Sequence, residues 1–132
     1  MSPEPVWVSR RVVEEIHRRQ VRIHGGASGL RDEGLLESAL ARAPHAWVYG
    51  DRPAIQTLAA LYVEGLVRNH AFVDGNKRVG LVVGATFLLL NGHELRAAEP
   101  DAVLTIRALA AGELGFSELD EWVHANTHPV TE

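Results

Sequence analysis

The sequence predicts an all-α protein, a compact six-helix bundle around one central apolar helix, and three observations predict it. Six segments place apolar residues at helical spacing between recognisable starts and stops, strand signals are few, and the connections are of moderate length. One of those segments, Val79 to Leu90, is apolar almost all round, so as a helix it must be surrounded by the others. Third, 132 residues make one ordinary domain, long enough to bury about two-thirds of the surface an unfolded chain exposes. Residues 1–132 are therefore read as a single domain, with 1–8 an extended lead and 126–132 a frayed tail.

Each element follows from its local chemistry. Pro3, Glu4 and Pro5 make the lead, and Ser9 caps a first helix whose core face is Val12, Val13, Ile16 and Ile23, with the Arg-rich remainder in water. Gly25, Gly26 and Gly29 break the chain into a loop. Asp32 caps a second helix, Glu33 to Ala43, with Leu35, Leu36, Ala39 and Leu40 on one side, and Pro44 ends it. Trp47-Val48-Tyr49-Gly50 then reads as a short strand or a packed loop. A largely buried third helix runs from Ala54 to Asn69, and the central helix stops at Asn91-Gly92. His93 to Leu95 has room only for a short extended piece, so any sheet is a marginal hairpin. Pro100 opens a fifth helix ending near Gly112, and Ser117-Glu118-Leu119-Asp120 caps a sixth reaching about Ala125.

Composition removes several function classes. With no cysteine there is no disulfide, thiol nucleophile or thiolate metal site. The longest uncharged run, Val79 to His93, is shorter than the roughly 20 residues of a membrane helix, and the N-terminus lacks the apolar core of a signal peptide. A cytoplasmic protein with no membrane partner is expected. Residues 9 to 31 carry six Arg against two Glu, but the net charge of −4 argues against the strong positive field that nucleic-acid binding uses.

Chemistry concentrates between His70 and Arg78, read His-Ala-Phe-Val-Asp-Gly-Asn-Lys-Arg, where a loop turns into the central helix. Backbone N–H groups and the positive end of a helix dipole meet fixed cations there, a setting that suits an anionic phosphate chain. His70 is the candidate base toward a hydroxyl, since an imidazole titrates near neutrality. Asp74 is a hard oxygen ligand of the kind Mg2+ uses when one carboxylate and substrate phosphates share the ion. Gly75 permits close backbone approach, Asn76 adds an amide side chain, and Lys77 and Arg78 complete the cradle. Taken singly, each has a plainer role: a cap, a buried hydrogen-bonding group, a solvent-facing cation. Together they describe transfer of a phosphorus-containing group to a hydroxyl. Phe72 is assigned to the core, anchoring the loop. His124 and His128, four apart, and the carboxylates Glu64 and Asp74 are weaker combinations and are set aside.

The nine-residue stretch resembles the signature of the Fic/Doc family, and the lysine after the asparagine resembles its death-on-curing branch. Gly29 to Leu40 upstream and Phe87 to Gly92 downstream are also typical of that branch, so the resemblance covers residues 24 to 95. It implies a Fic-type helical fold, with His70 activating a target hydroxyl, Asp74 holding Mg2+, and Gly75, Asn76, Lys77 and Arg78 binding the phosphates of ATP. Most members transfer AMP. The death-on-curing branch instead transfers the γ-phosphate, to a threonine of elongation factor Tu, inhibiting translation, and a cognate antitoxin neutralises it. Lys77 stands where the usual motif has glycine and Leu81 where it has a second arginine, and both departures favour phosphate transfer over AMP transfer. The self-inhibitory Ser/Thr-x3-Glu-Gly/Asn pattern is absent, which directs inhibition to another chain. Trp47 to Gly50 lies where the family places a flap that aligns the target segment. AMP transfer and a catalytically silent binding module on the same fold remain as alternatives.

Overall fold

The computed structural model describes residues 3–130, so the ends of the expected lead and tail, residues 1–2 and 131–132, lie outside the described residues. In chain order the elements are α1 (Arg10–His24), α2 (Glu33–Tyr49), α3 (Ile55–Asn69), α4 (Asn76–Leu90), β1 (His93–Leu95), α5 (Glu99–Ala110), α6 (Phe116–Ala125) and β2 (Thr127–Pro129). The all-α expectation holds, and no described helix is long and apolar enough to cross a membrane.

The middle of the bundle is a pair of helices. α3 packs against α2, α4, α5 and α6 and buries nine residues, whereas α4 leaves Leu81, Val82, Ala85 and Thr86 partly open. The two approach closely because α4 presents glycine where α3 presents valine. A Cβ on Gly80 would lie 2.7 Å from Val67 Cγ2, and one on Gly84 would overlap Val63 Cγ2. On the other side of α3, a Cβ on Gly65 would lie 3.1 Å from the Ala39 carbonyl oxygen of α2. Small residues thus set the spacing, and Tyr62, Phe87, Leu36, Leu58 and Leu66 fill the volume around the seams.

Three expectations need correction. Pro44 does not end α2, which continues to Tyr49. Proline removes one helical donor and crowds the preceding turn, but Leu36, Ala39, Ala43 and Trp47 form one buried stripe that only a continuous helix can lay on its neighbours. Trp47 to Gly50 is therefore the last turn of α2 rather than a strand or loop, with Arg52 placed 5.6 Å from the centre of the Trp47 ring. The α1 stripe is narrower than expected: Val13 and His17 are buried, while Val12 and Ile23 face water. The end of the chain is not frayed through Pro129, because Thr127–Pro129 pairs antiparallel with His93–Leu95.

Caps behave largely as expected. Ser9 Oγ accepts from Val12 N–H at 3.3 Å and Asp32 Oδ1 from Leu35 N–H at 2.9 Å. α6 starts earlier than read, with Gly115 at the cap position and Glu118 Oε1 reaching back to its N–H at 3.1 Å. The lead is held as well: Asn91 Oδ1 accepts from Val6 N–H at 2.8 Å, and its amide donates to the Val6 carbonyl at 2.9 Å.

Candidate functional site

The loop between α3 and α4 is built by contacts from distant parts of the chain. α3 ends at His70, which adopts left-handed backbone angles of φ 53° and ψ 49°. Arg31 supports that corner, its Nε donating to the His70 carbonyl at 2.8 Å and a terminal nitrogen to the Asn69 carbonyl at 3.4 Å. Leu30 and Phe72 then form an antiparallel bridge, with Arg31 N–H donating to the Ala71 carbonyl and Val73 N–H to the Gly29 carbonyl, at 2.7 and 3.0 Å. A left-handed non-glycine residue persists only where its surroundings fix it, and here they do so next to the candidate base.

Phe72 is the anchor that the sequence suggests, 2% exposed. Its neighbours were less legible. The His17 ring of α1 stacks on it with centres 4.0 Å apart and planes 10° apart. Asn76 grips its backbone, accepting from Phe72 N–H at 3.0 Å and donating to the Phe72 carbonyl at 2.9 Å. The Asn76 amide is therefore committed to the loop, and only its backbone N–H can meet a ligand. This corrects the expectation that its side chain joins the cradle.

Gly75, at φ 80°, turns the chain into α4. No side chain caps this helix, and among the described residues the N–H groups of Asn76, Lys77 and Arg78 have no partner. They face a cleft of about 610 Å³ bounded by the end of α3, the start of α4, α5 and the end of α1. His70, Asp74, Gly75, Asn76, Lys77 and Arg78, the six residues singled out in the sequence, all line it. So do Arg68 and Arg107, brought from α3 and α5, and His24 from α1. Only Asp74 and Glu99 are acidic in this lining, so a chain of net charge −4 keeps a cationic hollow. The same lining also holds apolar side chains, Val67, Leu81, Val103 and Ile106 among them.

Asp74 is ionised at the entrance to α4. Its Oδ1 accepts from Gly75 N–H at 2.8 Å and its Oδ2 faces Ala27 N–H at 3.4 Å; these bonds, in that order, and the cations of Arg78 and Lys77 lower its pKa from the ordinary carboxylate value. Gly26, whose φ of 108° favours glycine, lies beside it, and a Cβ there would come within 2.7 Å of Asp74 Oδ2. The described residues contain no group of three or more His, Asp or Glu side chains arranged for a metal. A single carboxylate with lone pairs left fits Mg2+ shared with substrate phosphates and water, rather than an all-protein metal cage.

Some functional neighbours left little trace in the sequence. His17 follows Val13 by one helical turn and so falls on the apolar stripe of α1, the one available signal. Glu64, 7% exposed, is paired with Arg42 at 2.6 Å and with Arg68 at 3.7 Å, a structural role for a carboxylate set aside earlier. His124 and His128 part company: the Nδ1 of the first donates to the Asp120 carbonyl within α6 at 2.9 Å, and the second sits in β2 opposite Glu94. The Trp47 to Gly50 turn is not part of the cleft lining.

A family model described as the Fic/DOC family matches residues 7–88. Over 75 residues the chain is 48% identical to a curated protein of Mycolicibacterium smegmatis (strain ATCC 700084 / mc(2)155) named Toxin Doc. That alignment takes in 55% of this chain and 57% of the relative's length.

Proposed function

The chain belongs to the Fic/DOC family, and from that premise we propose that it is a death-on-curing-type toxin that transfers the γ-phosphate of ATP to a threonine or serine hydroxyl of a target protein. Elongation factor Tu is the first target to test. The observation that carries this reading is the meeting in one cleft of the unpaired N–H groups of α4 with His70, Asp74, Lys77 and Arg78. Its likeness to a protein named Toxin Doc supports the toxin role and the existence of a cognate antitoxin.

In this reading the helix N-terminus, Lys77 and Arg78 bind and orient the phosphate chain. The His70 imidazole, exposed at the cleft, accepts the proton of the target hydroxyl. The hydroxyl oxygen forms its bond to the γ-phosphorus as the bond from that phosphorus to the β–γ bridging oxygen breaks, and ADP leaves with the electron pair. Asp74 would hold Mg2+, which when bound neutralises charge on the β- and γ-phosphates. Leu81, where a second motif arginine is usual, leaves this part of the cleft wall apolar and supports γ- over α-phosphate chemistry.

The test is incubation with Mg2+, elongation factor Tu and ATP labelled on either the α- or the γ-phosphate, with His70→Ala as control. Label from the γ position alone, lost in the variant, is expected. Label from the α position would replace this reading with AMP transfer.

A further inference from the structure

Asp74 is met at two of its oxygens by residues 17–27, a stretch far away in sequence. Ala27 N–H faces its Oδ2 at 3.4 Å, Gly26 packs against the same oxygen, and His17 Nε2 lies 2.9 Å from its carbonyl oxygen. A carbonyl can only accept, so His17 Nε2 carries the proton and donates. His17 itself is 3% exposed, and its stacking on Phe72 leaves the ring little freedom to turn.

The consequence lies in the planarity of the peptide. The C=O of Asp74 and the N–H of Gly75 belong to one trans unit and point in opposite directions. Drawing the carbonyl toward α1 therefore sends Gly75 N–H the other way, where Asp74 Oδ1 accepts it at 2.8 Å. That second bond selects the carboxylate rotamer. Without the His17 donor the peptide is free to swing, and the carboxylate loses the N–H that orients it.

We propose that His17 is a positioning residue for the transfer reaction, setting the Asp74–Gly75 peptide and through it the carboxylate that meets the divalent cation. The proposal rests on the phosphate-transfer reading above. Its chemistry is that of an outer partner of a metal ligand, for which substitution typically weakens metal affinity or activity by about 10- to 100-fold.

The experiment compares the wild type with His17→Phe, which keeps a flat ring against Phe72 but has no donor, and His17→Gln, which keeps an N–H donor. Binding of a non-hydrolysable ATP analogue is measured by calorimetry with Mn2+ and with no metal, alongside thermal unfolding and the steady-state constants of transfer. For His17→Phe the expected result is a melting temperature close to wild type, unchanged metal-free binding, Mn2+-dependent binding weaker by about tenfold or more, and a lower kcat. His17→Gln recovers most of the loss. Equal losses with and without Mn2+, losses that follow the melting temperature in both variants, or no loss at all would overturn the proposal. A wild type that does not bind the analogue overturns the phosphate-transfer reading and this proposal with it. If the wild type binds but transfers nothing, the reaction falls and the metal comparison alone decides for or against His17.

Discussion

Asp74 shows how a loop tunes a single side chain. The N–H of Gly75, then that of Ala27, and the nearby Arg78 and Lys77 all favour the charged carboxylate. The folded chain therefore binds this proton less readily than the unfolded chain. The resulting stabilisation is complete above the ordinary value of 3.8 and is lost as pH falls through the lower folded value. Carboxyl-carbon NMR should place the Asp74 midpoint below 3.8; a midpoint at or above it would mean that the loop bonds do not persist in solution. Asn76 makes a different prediction. It is 4% exposed and satisfies both backbone groups of Phe72, so Asn76→Ala should cost about 1–3 kcal/mol in urea denaturation, the penalty of leaving buried polar groups unpaired. A loss under about 0.5 kcal/mol would show that water replaces the amide. That His70 and Asp74 meet at one loop-to-helix junction, and that Phe72 is buried behind them, was legible from residue type and position. The inward turn of the Asn76 amide was not, since spacing along a chain does not say which way a polar side chain at a helix start folds.

The helices owe their spacing to what they lack. Gly→Ala in a helix ordinarily stabilises by up to about 1 kcal/mol, so Gly84→Ala tests the α3–α4 seam by its sign. A Cβ there overlaps Val63, and a destabilisation of about 1–3 kcal/mol is expected from thermal or urea unfolding. A stabilised variant would mean that the seam has slack. Both α3 and α4 read as buried from their composition, but that α3 takes the larger share did not, because α3 mixes Glu64, Arg68 and Asn69 into its sequence. α2 is the clearest case of packing overriding a local signal. Pro44 is a sound stop by its own chemistry, and only the buried Ala43 and Trp47 on either side keep the turn in place. The β1–β2 pairing was hard to anticipate for a related reason, since its two three-residue strands are separated by α5 and α6.

Across the whole molecule, charge is sorted. The acids outnumber the basic residues, 17 to 13, yet Arg68, Lys77, Arg78 and Arg107 converge on one hollow. Arg107 is exposed and has no carboxylate within 4.0 Å among the described residues, so its charge is available to a ligand. On the phosphate-transfer reading proposed above, Arg107→Glu should raise the KM for ATP several-fold, and the wild-type KM should itself rise with added salt, as screening shortens to about 8 Å at physiological ionic strength. An unchanged KM in the variant would place the phosphates away from α5. None of this was visible in the linear pattern, because Arg107 reads simply as a cation favourably placed in the last turn of a helix. At the far end of α4 the geometry has a practical reach. Val6 is bonded to Asn91 and Val130 to Gly92, so both ends of the described chain fasten to one turn. That turn is separated from the cleft by the 15 residues of α4, about 22 Å of helix. A dye attached through an exposed residue beside that turn, such as Val6 or Val130, would leave the cleft facing solution.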